Sequence, residues 1–192
     1  MVVLTRQRWF ESHFCVSTND VDITAKRAIR YLGFELDDKL SFRDNLRKTT
    51  GKAGKTVSNL AKLMFNTAGP KYETRRILLS VVHSILRYGA EVRADKTRIK
   101  TFRSKLTSVQ RKAALRVACA YRTVSEAAIL VLAKATPMDL MAQERRRIHQ
   151  RRQDGSLDSN AVKAEKRRTL NEWNHRWQNC TRRQSGEPEP VK

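Results

Sequence analysis

Asp37-Asp38 is the chain's single pair of adjacent carboxylates. Two neighbouring carboxylates aimed inward by a strand turn can hold magnesium for nucleotidyl transfer. Here they stand just before a helix-capping sequence, so the pair reads as turn chemistry. The four histidines, His13, His83, His149 and His175, have no second His, Cys or carboxylate at ligand spacing on a shared helical face. They read as surface or core residues, and no metal site is expected. Gly51-Lys52-Ala53-Gly54-Lys55-Thr56 ends like a phosphate-binding loop. Its first glycine is two residues too close, and it sits in a helical pattern rather than after a strand. It is a chance match. Cys15, Cys119 and Cys180 are odd in number and far apart, which argues against a disulfide framework or a C-x-x-C zinc site and fits a reduced, intracellular protein. These patterns offer no catalytic residue and no cofactor.

What remains is charge. The 192 residues carry 40 Lys and Arg against 19 Asp and Glu, a net of +21. Residues 1–38 are net −1, residues 39–121 hold 20 basic against 4 acidic side chains, and residues 141–192 hold 13 against 7. An excess gathered in one middle stretch is not a self-pairing surface, and polyanion binding is its usual purpose. Nothing resembles a zinc finger or an aromatic RNA-binding sheet. An aromatic content of 7%, with Trp173 and Trp177 expected to pack, argues against a single-strand stacking platform. Recognition of shape and backbone is expected, through Lys52, Lys55 and Lys62 on one helix and Arg111, Lys112 and Arg116 on another. The pattern does not separate RNA from DNA. No apolar run is long enough to span a membrane, and Met1–Phe10 is not built as a secretory signal.

The elements that must position these cations are mainly helical. Strands are expected at Val2–Thr5, Phe14–Ser17, Val21–Thr24 and Ile29–Leu36, with a turn at Thr18-Asn19-Asp20 and a bulge or close approach at Gly33. From Ser41 the period becomes helical, Ser41 and Asp44 forming a capping box. Gly51 and Gly54 weaken that helix by roughly 1 kcal/mol each, and Gly69-Pro70 ends it. A richly apolar helix follows over about 71–88, stopped by Gly89, and a third over about 96–121 with an Ile99, Phe102, Leu106, Val109, Ala113 and Val117 seam. Thr123 or Ser125 caps a short helix, Pro137 opens a fifth, and Asp154-Gly155-Ser156 breaks it. The last, about 159–178, is expected to set Leu170, Trp173 and Trp177 on one face.

Several segments in register resemble non-LTR, LINE-like retrotransposon reverse transcriptases, most strongly the arthropod elements that insert into ribosomal RNA genes. Ile29-Arg30-Tyr31-Leu32-Gly33-Phe34-Glu35-Leu36-Asp37 is similar to that family's K-Y-L-G-V-x-L-D segment. Ser80 to Ala90 is similar to H-S-I-L-x-Y-G-A-x-x-W, and Ser108–Val117 with Ala120–Ser125 to V-Q-R-x-A-L-R-V-x-x-A-Y-R-T-V-S. Pro137-Met138-Asp139-Leu140 and the tryptophan pair fit the pieces that follow, so the resemblance spans about residues 21–178.

The resemblance implies an RNA-directed DNA polymerase with an endonuclease, priming at a nicked chromosomal target in the nucleus, with magnesium as the polymerase's cofactor. It implies that residues 1–38 end the palm, with Tyr31, Leu32 and Gly33 in the primer-grip hairpin. Residues 39–153 would be the helical thumb and connection, 154–178 a linker helix with the Trp pair, and 179–192 a disordered tail. Partners would be the template–primer duplex of RNA and DNA and the rest of the palm and fingers. The family's aromatic-Ala-Asp-Asp motif lies upstream of these segments, so this stretch alone is not expected to polymerise. Arg93 stands where the family usually has Trp, and the sequence departs after Cys180, as in a decayed or truncated copy or a misjoined reading frame. The expected fold is mainly α, a basic helical bundle with a small N-terminal β remnant. The rival expectation is a stand-alone basic helical RNA- or DNA-binding protein of retroelement origin, without activity.

Overall fold

The computed structural model describes residues 1–4, 14–18, 21–65 and 69–185. It is mainly helical, with short antiparallel hairpins near the N-terminus. Contacts divide the chain into two units, 1–49 and 50–192.

In the first unit, β1 (Cys15–Thr18) pairs with β2 (Val21–Thr24), and β3 (Ala28–Tyr31) pairs with β4 (Phe34–Asp37), as two separate two-stranded sheets. The strand expected at Val2–Thr5 does not form over its described residues Val2–Leu4, although the Met1 carbonyl accepts the Lys26 amide at 2.9 Å. Asn19 and Asp20 of the expected turn lie outside the described residues. Ile29–Leu36 is two strands and not one. Leu32 (φ 46°) and Gly33 (φ 81°) both sit in the left-handed region, the backbone a two-residue type I′ hairpin turn demands. Gly33 therefore makes a turn and not a bulge.

Asp37, at the end of β4, enters the next element. Its carboxylate accepts the amides of Ser41 (2.8 Å) and Phe42 (2.9 Å). Helix α1 begins at Arg43 and runs to Ala61. The Ser41–Asp44 capping box is thus replaced: Ser41 Oγ accepts the Arg43 amide at 3.4 Å, and its side chain also bonds the Asp37 carboxylate. Leu40 (φ 47°) and Phe42 (φ 57°) take positive φ, and the helix starts at Arg43, so Phe42 and not Ser41 stands at the N-cap position.

The second unit is built around α2 (Tyr72–Arg87) and α4 (Lys100–Val117), its most extensively packed pair. Leu78, Leu79, Val82 and Leu86 of α2 meet a core that includes Phe102, Leu106, Val109, Ala113 and Val117 of α4. Ile77 and Val81 face outward instead. Gly89 (φ 58°) ends α2 as expected. The next stretch is not the start of a long helix: α3 (Ala90–Arg93) and a 3-10 turn (Ala94–Arg98) precede α4, with Ile99 extended and exposed. Ser125 caps α5 (Glu126–Leu132), its Oγ accepting the Ala128 amide. Helix α6 (Met138–Gln153) stops at Gly155 (φ 69°).

Helix α7 runs Ser159–Ser185, beyond Gln178 and into the stretch expected to be a disordered tail. It packs on α6 with an unexpected face. Glu165 and Thr169 are buried, Trp173 and Trp177 are half-buried, and Leu170 is 52% exposed.

Candidate nucleic-acid interface

The site residues expected on α1 and α4 are governed by which cations the protein itself neutralises. Arginines of α6 and α7 hold most of the ion pairs among the described residues. Arg147 and Arg151 clamp the buried Glu165 from two sides (2.6 and 3.0 Å), and Arg147 also donates to Thr169 (3.0 Å). Burial alone would raise the Glu165 carboxyl, but the hydrogen bonds and charges of Arg147 and Arg151 hold it below the usual range. Arg145 bonds Glu91 (3.3 Å), Arg146 bonds Asp95, Arg168 bonds Glu172 (3.1 Å) and Arg176 bonds Asp139 (2.7 Å). The basic run of α6 is therefore largely structural.

On α1, Arg47 and Lys48 pair with Asp44 and Glu35, but the cations farther along it and those of α4 differ. Among the described residues, no ion pair reaches Lys52, Lys55 or Lys62, nor Lys100, Arg103, Lys105, Arg111, Lys112 or Arg116. On α1, Ala53 and Val57 turn inward while Lys52 and Lys55 are exposed. Lys62 is exposed too, but stands one residue past the helix end, its amide bonded to the Asn59 carbonyl. On α4, burying Phe102, Leu106, Val109 and Ala113 necessarily turns Lys105, Ser108 and Lys112 outward along one face, since positions seven apart share a side.

Arg111 and Arg116 differ from the lysines. The Arg111 guanidinium donates to the carbonyls of Arg122 (2.5 Å) and Val124 (2.8 Å), pinning the loop after α4. Arg116 is half-buried, and its carbonyl accepts a bond from Arg75 (3.3 Å). The structure joins Lys112 with Lys105, a lysine outside the expected site residues that periodicity places on the same face. The α1 and α4 groups lie on helices that share no extensive packing among the described residues. In the first unit, Tyr31 and Leu32 are 59% and 73% exposed at the β3–β4 turn, beside Gly33.

The fit to magnesium is poor. Burial alone would raise the Asp37 carboxyl, yet the Ser41 side chain and the Ser41 and Phe42 amides hold it below its usual range. Both its oxygens are thereby engaged in the turn, and no group of three or more His, Cys, Asp or Glu among the described residues is placed to hold a metal. The glycine-lysine run lies within α1, where Thr56 Oγ1 donates to the Lys52 carbonyl. It forms no phosphate loop. Cys15, Cys119 and Cys180 are free thiols, and no helix among the described residues is long and apolar enough to cross a membrane.

Two buried arginines escaped sequence reading. Arg75 bonds the carbonyls of Phe65 (2.5 Å), Pro70 (2.7 Å) and Arg116. Arg93, at the family's Trp position, donates to the carbonyls of Leu86 (2.8 Å) and Tyr88 (3.1 Å) at the end of α2, and burial pushes its pKa down to about 10. Both guanidiniums serve backbone carbonyls, which periodicity does not reveal.

By sequence, the chain is related to a retrotransposon Pol polyprotein. It is 28% identical over 174 residues to the retrovirus-related Pol polyprotein from type-1 retrotransposable element R1 of Nasonia vitripennis, covering 81% of this chain and 50% of that protein. That is distant homology to an R1-type element, and the chain spans about half the length of the curated relative it matches. No protein-family model matches the chain. No solved structure matches it.

Proposed function

We propose that the chain is the gripping part of a retroelement reverse transcriptase, its helical region acting as thumb and connection against the template–primer duplex during target-primed synthesis. The observation that carries this reading is that Arg145, Arg146, Arg147, Arg151, Arg168 and Arg176 are ion-paired within the protein, whereas among the described residues no ion pair reaches the exposed Lys52, Lys55, Lys105 and Lys112. Phosphates replace carboxylates as the counter-charges of Lys52, Lys55, Lys62, Lys105 and Lys112, with Arg116 at their edge. Tyr31, Leu32 and Gly33 form the tip that approaches the primer. The palm and fingers of the polyprotein supply the metal and the chemistry, and the nucleus is where such a duplex is primed. No catalytic step is assigned to the residues of this chain.

The helical unit has its own core in α2, α4 and α5, which favours a second reading as a stand-alone RNA- or DNA-binding protein. Duplex binding measured against salt tests both. Changing Lys52, Lys55 and Lys62 to Ala, or Lys105 and Lys112 to Ala, should flatten the log–log slope by up to about 0.9 per lost contact. An unchanged slope removes those residues from the interface. Preference for an RNA–DNA hybrid with a recessed primer supports the thumb; equal binding to every duplex supports the stand-alone reading.

A further inference from the structure

Away from the lysine faces, α7 and the helices it faces border an open pocket of about 400 Å³ with Arg103, Glu126, Asp139, Trp173, Arg176 and Trp177 in its walls. Asp139 is 1% exposed. One of its oxygens, Oδ2, takes the Arg176 guanidinium at 2.7 Å, while the other, Oδ1, is buried with no hydrogen-bond partner among the described residues. A buried carboxylate oxygen can only accept, so its missing partner is an N–H or O–H. Trp173 and Trp177, one turn apart, add flat apolar wall, and Arg103 adds an exposed cation with no ion pair among the described residues.

These three features match the flat face of a base, its amino group and a phosphate. We propose that this pocket takes one unpaired nucleotide of a single strand, its base against the tryptophans, an exocyclic amino group on Asp139 and its phosphate on Arg103. The volume lies within the range of small-ligand sites. Glu126 lines the same space as Arg103 and Arg176, so its charges are mixed, and the two tryptophans are what favour a flat aromatic amine as the donor. Cytosine, adenine and guanine offer that amine. Uracil and thymine offer one ring N–H between two carbonyls, which would face the carboxylate with like polarity. The proposal concerns different side chains from the duplex grip and stands or falls apart from it.

Intrinsic tryptophan fluorescence of the intact chain reads the site directly. Titration with single-stranded oligo(dC) should quench at a concentration about tenfold lower than with oligo(dT), the order of discrimination one base-edge contact gives. Trp173→Phe should remove most of the quench. Arg103→Ala, at an exposed position, should weaken both oligonucleotides alike, and Asp139→Asn should erase the dC preference. Should Asp139→Asn fail to fold by circular dichroism, the wild-type comparison and Arg103→Ala still decide. Equal quenching by dC and dT, or quenching by a trimethyllysine amide and not by oligonucleotide, overturns the proposal. Loss of the quench in the Lys52, Lys55, Lys62 triple variant also overturns it, by assigning the signal to the duplex surface.

Discussion

The side-chain amide nitrogen of Gln110 lies 3.0 Å from Nε2 of His83 and 2.7 Å from the Thr136 carbonyl, while its oxygen accepts the Met138 amide at 2.9 Å. One fully buried side chain thus ties α2 and α4 to the entrance of α6. The amide orientation follows from its partners, since turning it over would set its N–H₂ against the Met138 N–H. The His83 Nε2 must then be the acceptor, and its ring proton belongs on Nδ1. Protonating the ring would set N–H against N–H. Burial and then the charge of Arg87 lower the His83 pKa to about 4 from 6.5.

That shift has a definite sign. The unfolded chain binds the His83 proton more readily than the folded one, so the stability contributed is complete above about pH 6.5. It drains away as pH falls toward 4. Urea titrations between pH 7 and 4 should show wild type losing about 3 kcal/mol more than His83→Gln. Parallel curves for the two proteins would mean that His83 takes up its proton alike in the folded and unfolded chain.

Arg75 and Gly69 act as one latch. A Cβ at Gly69 would overlap the Phe65 carbonyl and crowd the Arg75 guanidinium that binds it. Arg75→Met strands three carbonyls and should cost about 3 kcal/mol. Gly69→Ala should cost about 2 kcal/mol. Because both disturb one arrangement, the double variant should lose clearly less than the sum in denaturant unfolding; strict additivity would separate them.

Gly51 and Gly54 occupy the interior of α1 with nothing near the place a Cβ would take. Alanine at either should raise stability by about 1 kcal/mol. Gly51, Lys55 and Ser58 follow one exposed helix face at spacings of four and three. If a nucleic-acid backbone lies there, the same alanines should weaken duplex binding while raising the unfolding midpoint. Higher stability at unchanged affinity would place the duplex elsewhere.

Much of the fold was legible because its punctuation is local. Gly89, Ser125, Pro137 and Gly155 each act through their own backbone or nearest turn, and the α4 seam is a clean periodic signal. The Leu32-Gly33 turn was missed because a leucine at positive φ departs from residue preference. The capping box failed because Asp37, four and five residues upstream of the amides it binds, won both of them. The face of α7 was misread because hydrophobic periodicity expects an apolar stripe, and this one is lined by Glu165 and Thr169. The candidate interface was legible as charge but not as availability. Arg111 and Lys112 look alike in sequence, and only the fold shows the first binding two carbonyls and the second unpaired.

The α6–α7 seam is held by Arg147, Arg151 and Glu165 more than by buried methyl groups. Heat capacity of unfolding arises mainly from apolar surface newly wetted. Lifting α7 away wets little of it, so the helix can part from the bundle with a small calorimetric trace. Charged contacts also lose less than hydrophobic ones on cooling. Helix α7 is therefore joined to the rest by a bond that acid loosens and cold does not, the reverse of the core it lies on.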